Sequence, residues 1–206
     1  MNEEITRWLP LLVASLAGTF ALWQIRSNNI TNARIKWLEN LKQVLTDFIS
    51  ESTIFQLKEG VSKGIVVKSQ IVGLSETEHS YLNKITESTP EHLKIIESKH
   101  NLIKLNLNPK ESLHQKLEAL LDEYMDLFNE IPTQRSHDNY NLLTRKMSAY
   151  SDTIILLIRY VMKLEWEKTK RPYLSRIFYM KYGKGRELLT EALNLDLLPI
   201  KPLKKT

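Results

Sequence analysis

Five histidines are the first candidates for metal or catalytic chemistry in this chain of 206 residues. No two of them have the i, i+4 spacing that places two imidazoles on one helix face around a zinc ion. Cysteine is absent, which excludes thiolate ligands, cysteine nucleophiles and disulfides. We therefore expect neither a metal site nor a cofactor.

Arg135 and His137 form an arginine–histidine pair at the start of a long stretch with helical spacing. Ribonucleases built on small helical-bundle HEPN domains use such a pair with four residues between its members. Here a single residue separates the two, so the catalytic pattern is not matched. We expect no enzymatic activity, and a degenerate nuclease of this type is the alternative.

Residues 181–186, KYGKGR, place two glycines among cations. This stretch either meets a phosphate or forms a solvated turn, and neither GxxxxGK[ST] nor GxGxxG occurs in the chain. Residues 173–182 mix aromatic and basic side chains, and they either lie in a lipid headgroup layer or cover the end of a helical bundle. No small-molecule substrate is indicated.

Basic residues are concentrated towards the C-terminal end. The net charge of the chain is +5, and residues 168–206 hold ten Lys and Arg against three acidic residues. Each cation near an anionic headgroup gains about 1 kcal/mol, so membrane lipid is the first expected partner. A solvated helix face and an acidic partner such as RNA are the other two interpretations. The candidate contacts are Arg176, Lys181, Lys184, Lys201, Lys204 and Lys205.

The elements that would position these residues begin with an apolar stretch near the N-terminus. Residues 8–25, WLPLLVASLAGTFALWQI, carry no charge, and a helix of this length spans roughly 27 Å. Trp8 and Trp23 lie near its ends and Arg26 follows it, as is typical of residues at a membrane–water interface. This pattern predicts a transmembrane helix; a cleaved signal peptide and a buried core helix are the alternatives.

Small residues occupy one side of this stretch. They are Pro10, Ala14, Ala17, Gly18 and Ala21, which share a face at about 100° per residue. Small residues four apart let two helix backbones approach closely in lipid, so we predict a homo-oligomer that associates through this seam. Chance is the alternative, because glycine is frequent in any membrane helix.

Positive charges on either side of the apolar stretch indicate its orientation. Arg7 alone precedes it, whereas Arg26, Arg34, Lys36 and Lys42 follow it. By the positive-inside rule, the short N-terminus lies outside and the long C-terminal part lies in the cytoplasm. We expect a single-pass protein of the inner membrane.

Composition favours an all-α fold for the whole chain. Glycine and proline are scarce, at six and seven residues, and apolar residues recur at helical spacing from Ile30 to Ile49. We expect a membrane anchor with a short linker in residues 1–29, a cytoplasmic helical bundle in residues 30–171 and a basic aromatic segment in residues 172–206.

Local signals predict the helix ends. Residues 50–75 contain three glycines and predict a connection with partial helix. Helical spacing returns from residue 76 to about residue 105, and within it Pro90 is able to start a fresh helix after Ser88 or Thr89. Residues 108–111, NPKE, predict a capped helix start, and Asp138 caps a long helix that ends before Pro172.

Arg159 interrupts a stretch of that long helix, residues 153–161, that is otherwise apolar nearly all round. A buried guanidinium must be paired, because burying an unpaired charge is very costly. The candidate partners are Asp47, Glu118, Asp122 and Asp152. Alternatively, the Arg159 side chain reaches the surface or faces a neighbouring subunit.

Three stretches resemble a set of bacterial single-span membrane proteins with a helical cytoplasmic domain. They are residues 34–41, RIKWLENL, residues 107–109, LNP, and residues 164–170, LEWEKTK. The layout is also similar to the HEPN-like membrane accessory proteins of type VI CRISPR systems. This resemblance implies a HEPN-like bundle, assembly into a ring with a membrane pore, and a role in phage defence. The family's degenerate RxxxxH site is not matched, so no active residues are carried over.

The leading functional hypothesis is a non-enzymatic oligomeric inner-membrane protein that perturbs the membrane or forms a pore. One helix cannot enclose a pore, so this hypothesis requires several copies. The alternative is a membrane-tethered helical module that recruits RNA or a protein partner through its basic tail.

Overall fold

A computed structural model describes the backbone of residues 2–133, 137–171 and 173–196, with side chains except at 2–7, 9, 12, 133, 137, 173 and 174. Every regular element in these ranges is helical, so the predicted all-α fold is confirmed. The helices are α1 (Asn2–Val72), α2 (Glu76–Asn106), α3 (Ser112–Glu130), α4 (His137–Lys170), α5 (Tyr173–Tyr182) and α6 (Lys184–Leu193). A short 3-10 helix, Ile131–Thr133, follows α3.

The longest element is α1, a single helix of 71 residues that is roughly 105 Å long at 1.5 Å per residue. Its first buried side chain among those described is Leu38. From there, steps of three and four residues mark one buried stripe, formed by Leu38, Leu41, Leu45, Phe48, Ser52 and Phe55. The stripe belongs to the core that α1 shares with α2 and α4. Before Trp37, none of the described hydrophobic side chains of α1 belongs to that core or packs against it.

The expected connection over residues 50–75 is wrong, because α1 continues through Gly60 and Gly64. Tyr140 of α4 lies against α1 at this level, and a Cβ on Gly60 would stand 2.8 Å from its hydroxyl oxygen. The helix ends at Gly73, which has a φ of +83° and donates its amide to a carbonyl in the last turn. Tertiary packing therefore outweighs the low helix propensity of two glycines.

Pro90 does not start a fresh helix, because α2 runs through it. Proline has no amide to donate, so the preceding turn loses one backbone hydrogen bond. The hydroxyls of Ser88 and Thr89 both donate to the carbonyl of Ile85 in that turn, at 3.1 and 2.9 Å. The packing of α2 along α1 keeps the helix in one piece on both sides of the proline.

The helix starts differ in part from the expected ones. Ser75 begins α2 with a capping box: its hydroxyl accepts the amide of Glu78, whose carboxylate accepts the Ser75 amide at 2.9 Å. The start predicted at residues 108–111 is wrong, because α3 begins only at Ser112. Asn108 instead forms a turn in which its side-chain oxygen accepts the amide of Lys110 and its carbonyl accepts the amide of Glu111.

The C-terminal helices pack back onto the bundle. As predicted, α4 ends just before Pro172. Ala192 of α6 is fully buried, and α6 contacts both α3 and α4. The Lys116 amine on α3 donates to the carbonyls of Ala192, Leu193 and Leu195, which supplies hydrogen bonds at the C-terminal end of α6.

Candidate functional site

Residues 8–25 of α1 are apolar, and their described side chains are exposed on all sides of the helix. The large apolar side chains described there each leave 57–70% of their surface exposed: Trp8, Leu11, Val13, Leu16, Phe20, Leu22, Trp23 and Ile25. A contiguous apolar surface of this kind marks a contact with lipid or with another protein. Counting only residues that are described, no helix combines the length and apolarity that crossing a membrane requires.

The faces of α1 have separate roles. Ser27 lies nine residues after Gly18, or about two and a half turns, so the two are on opposite faces. Leu45 lies about five turns after Ser27 and therefore shares its face. The bundle thus packs on the Ser27 side, whereas the predicted seam around Gly18 points the other way.

The seam and a patch further along α1 form one outer face. The seam residues Pro10, Ala14, Ala17, Gly18 and Ala21 are all exposed. A Cβ on Gly18 would meet nothing within 4 Å. Ile54 and Leu57 lie about ten turns after Gly18 and Ala21, on the same face. They are 43% and 66% exposed, and Val61, at 50%, extends the patch. Leu57 and Val61 also border Tyr140 and Thr144, so the patch reaches the edge of α4.

A cationic cleft of about 410 Å³ lies on the bundle side of α1. Its α1 wall includes Trp23, Arg26 and Ile30, and its other wall includes Lys170, Arg171 and Arg176. None of the described residues that line it is acidic. The cleft therefore places four cations beside the last turns of the exposed apolar stretch.

Contacts with neighbouring residues hold the arginines of the cationic cleft. The guanidinium of Arg171 lies 4.1 Å from the centre of the Tyr179 ring and donates from Nη2 to Glu167 at 3.1 Å. Its Nε is buried, and none of the described residues accepts a hydrogen bond from it. Arg176 donates from Nη2 to the carbonyl of Arg171 at 3.4 Å. The two arginines thus lie side by side where α4 ends.

The basic residues predicted as lipid or RNA contacts fall into three groups. Arg176 lines the cationic cleft together with Arg26, which was predicted to lie at the membrane interface. Lys181 and Lys184 are exposed and do not line the cleft. Lys201, Lys204 and Lys205 lie outside the described residues.

A cluster of charged residues joins α1 to the bundle close to the cationic cleft. This junction cluster consists of Arg34, Glu111, His114, Glu165 and Lys168. Lys168 Nζ donates to Glu111 Oε2 at 2.9 Å and also to Glu165, while Arg34 Nε lies 4.0 Å from Glu165 Oε2. Burial opposes the charge on Lys168, but its two carboxylate partners raise its pKa above the ordinary value.

Aromatic contacts complete the junction. His114 is 3% exposed, and its Nδ1 accepts the amide of Asn108 at 2.9 Å. Its ring stacks on Trp37 of α1 with 5.9 Å between centres, and Trp37 Nε1 donates to the carbonyl of Asn106 at 2.9 Å. Burial lowers the pKa of His114, so the ring is neutral at pH 7. These bonds fix the orientation of α1 where it enters the bundle.

The junction cluster contains three groups that can ligate metals, namely Glu111, His114 and Glu165. One ligand atom from each lies within 4.8 Å of the others. The ammonium of Lys168 bonds to both carboxylates, however, and Lys168 and Arg34 together balance their charge. A metal ion would have to displace this ammonium, so the arrangement fits an ion-pair junction better than a metal centre.

Arg159 is exposed, so its interpretation as a buried, paired charge is wrong. Two of its candidate partners bond to lysines instead: Asp47 to Lys99 at 3.1 Å and Asp122 to Lys104 at 2.9 Å. Exposure leaves Arg159 hydrated, and its position in an apolar stretch therefore costs little.

The junction cluster was not among the sites predicted from the sequence. Its signal was present, because Glu165 and Lys168 continue the stripe of Val161 and Leu164 at helical spacing. Polar residues at such positions indicate a buried pair once the stripe is known to face the core. Glu111, which comes from a distant part of the chain, gave no comparable signal.

Known proteins offer no guide to this arrangement. No protein-family model, no curated protein and no solved structure matches the chain.

Proposed function

We propose that this protein is a non-enzymatic, single-span protein of the inner membrane that works as a homo-oligomer. The apolar stretch of residues 8–25 lies in lipid, the N-terminus lies outside and the bundle lies in the cytoplasm. Clustering of the spans perturbs the membrane or opens a path through it. The observation that carries this proposal is α1 itself, one helix with an exposed apolar end and a middle part built into the core.

The membrane assignment is supported by what the two ends of the apolar stretch contain. Exposing large apolar side chains on all sides of a helix costs free energy in water. It costs none in the hydrocarbon core of a membrane, because that core is itself apolar. Trp23 and Arg26 lie at the end nearer the bundle, where an aromatic ring and a cation suit the headgroup level. The excess of Lys and Arg beyond this end supports the cytoplasmic orientation.

The coupling between span and bundle is supported by the continuity of α1. No break occurs between Gly18 and the core residue Leu38. The junction cluster and Trp37 then fix the rotation of the helix relative to α3 and α4. A change in how bundles associate would therefore rotate or displace the spans, which a floppy linker would prevent.

Assembly is supported by the outer face of α1. The seam around Gly18 and the exposed Ile54 share this face, and Leu57 and Val61 are exposed beside it, next to α4. A second copy can pack against this face both within the bilayer and in the cytoplasm, with close backbone contact at the small residues. A HEPN-like bundle and a role in phage defence stay predictions from the resemblance.

The experiment that tests this proposal compares two substitutions in the span. Gly18→Leu adds bulk to the seam, whereas Leu16→Phe adds bulk about 160° away on the same helix. Because no atom of the chain lies within 4 Å of a Cβ at Gly18, the variant leaves the single subunit intact. We expect light scattering in detergent to show an oligomer for the unchanged protein and for Leu16→Phe, and monomers for Gly18→Leu.

The same variants test the effect on the membrane. Expression of the unchanged protein is expected to depolarise cells, and Gly18→Leu is expected to abolish depolarisation while Leu16→Phe keeps it. An unchanged protein that is monomeric in detergent at every working concentration would contradict the proposal. If such a monomer also bound RNA in a salt-sensitive way, the tethered binding module would replace it.

A further inference from the structure

We propose that the cationic cleft binds the phosphate of one anionic phospholipid per chain and so anchors the bundle against the inner leaflet. This inference rests on the proposed membrane location and adds a defined lipid partner to it. The cleft is formed between Arg26 of α1 and the group of Lys170, Arg171 and Arg176 where α4 meets α5.

The charge of the cleft selects an anion. Four cationic side chains line it, and no acidic residue is among its described lining residues. Glu167, which pairs with Arg171, lies outside the lining. The buried Nε of Arg171 is a donor for which the described residues supply no acceptor. A phosphate in the cleft would supply acceptors for such donors and bonds strongly to guanidinium groups.

The position of the cleft selects a lipid rather than a free anion. Trp23 and Ile30 are exposed and form part of the α1 wall, so the cleft has an apolar side next to its cations. Trp23 also belongs to the apolar stretch that the proposed function places in the bilayer. A bound phospholipid can therefore place its phosphate among the arginines while its acyl chains run along the apolar surface of α1.

The location also separates the cleft from the surface proposed for assembly. Ser27 lines the cleft and lies on the face of α1 opposite Gly18. A lipid in the cleft would thus stand between the span and the bundle of the same chain, without occupying the seam. Lipid binding and subunit association can then be measured independently.

The test is native mass spectrometry of the full-length protein, released from detergent micelles titrated with phosphatidylglycerol or phosphatidylcholine. We expect one phosphatidylglycerol per chain and much weaker binding of phosphatidylcholine. The double variant Arg26→Gln/Arg171→Gln is expected to weaken phosphatidylglycerol binding about thirtyfold, and Arg26→Gln alone about fivefold. Replacing Arg171 could disturb folding, because it removes the Arg171–Tyr179 contact. Arg26 is exposed, so the single variant tests lipid binding without this effect.

The matched control is Lys181→Gln/Lys184→Gln, which removes the same charge from exposed positions outside the cleft. We expect its affinity for phosphatidylglycerol to change by less than about twofold. Equal losses in both double variants would show diffuse attraction to the membrane surface and overturn the proposal. Equal binding of both lipids would also overturn it, as would displacement of phosphatidylglycerol by inorganic phosphate at a similar concentration.

The outcome is separable from that of the proposed function. A monomer that still retains one phosphatidylglycerol per chain would contradict the oligomer and support the lipid site. An oligomer without selective lipid binding would do the reverse.

Discussion

The ammonium of Lys168 bonds to two carboxylates from distant parts of the chain, one of them buried and one half-buried. Lys168 lies in α4, and it connects Glu165 of that helix to Glu111, which precedes α3. Arg34 brings α1 into the same group. The network therefore fixes three parts of the chain at the point where α1 joins the bundle.

Replacing Lys168 with methionine keeps most of the volume and removes the charge. The two carboxylates would then face each other without their shared cation, so we expect Lys168→Met to lower the free energy of unfolding by about 3 kcal/mol. Guanidinium titration of the full-length protein in detergent measures this change.

The control for Lys168→Met is Lys68→Met, which removes the exposed lysine of the Lys68–Glu78 pair. Exposed pairs contribute little because water and salt screen them, so the control is expected to unfold almost as the unchanged protein does. Equal destabilisation by the two variants would mean that the junction cluster has no special role.

His114 makes the stability of the fold depend on pH. Burial lowers its pKa in the folded state, although Glu111 and Glu165 favour the charged ring and Lys168 opposes it. The unfolded chain therefore binds a proton at a higher pH than the folded chain does, and stability decreases as the pH falls below about 6.5.

The substitution His114→Asn tests this dependence. Asparagine can accept the Asn108 amide in place of Nδ1 but cannot take up a proton in this range. We expect a less stable protein at pH 7.5 whose midpoint of guanidinium unfolding changes less between pH 7.5 and 5 than that of the unchanged protein. The exposed His79→Asn variant should keep the original pH dependence. If the unfolding midpoint of His114→Asn changed with pH as much as that of the unchanged protein, His114 would not cause the pH dependence.

At the scale of elements, the two glycines within the second half of α1 are in different surroundings. Gly60 faces Tyr140, whose hydroxyl donates to the carbonyl of Gln56, whereas nothing lies within 4 Å of a Cβ at Gly64. Only the first glycine is therefore required by packing.

Substituting each glycine with alanine separates packing from helix propensity. Gly64→Ala should raise the free energy of unfolding by roughly 0.5–1 kcal/mol, because alanine loses less backbone entropy in a helix. Gly60→Ala should instead lower it by about 1 kcal/mol, because Tyr140 must shift. Guanidinium titrations of both variants provide the comparison, and a similar gain in both would show that Tyr140 moves at no cost.

The sequence predicted most helices but not how they continue. The stripe from Leu38 to Phe48 and the end of α4 before Pro172 follow from periodicity and proline chemistry, which are local. The passage of α1 through Gly60 and of α2 through Pro90 depends on packing against other helices, which local rules do not contain.

The candidate site was predictable to a smaller extent. Arg26 and Arg176 were each singled out as basic residues near a membrane, but no spacing rule could bring residues 150 positions apart into one cleft. Glu165 and Lys168 lay on a visible stripe, whereas their connection to Glu111 required the tertiary structure. Composition thus identified the kind of residue, and the fold determined which of them meet.

In the molecule as a whole, α1 connects the apolar stretch of residues 8–25 to the helical bundle. Its apolar stretch, the cationic cleft and the junction cluster follow one another along the helix, and the bundle packs on the cleft side. The outer face carries the seam and Ile54, and Leu57 and Val61 are exposed beside it, next to α4. The proposed function requires residues 8–25 to lie in lipid.

Cysteine accessibility measures that location most directly, because the chain has no cysteine of its own and each introduced thiol is unique. The variants Asn2→Cys, Leu16→Cys and Ser80→Cys are treated with a membrane-impermeant maleimide in intact cells, in lysed membranes and in detergent. We predict that Asn2→Cys reacts in intact cells, that Ser80→Cys reacts only after lysis, and that Leu16→Cys reacts only in detergent. Reaction of Leu16→Cys in lysed membranes as fast as that of Ser80→Cys would contradict the account.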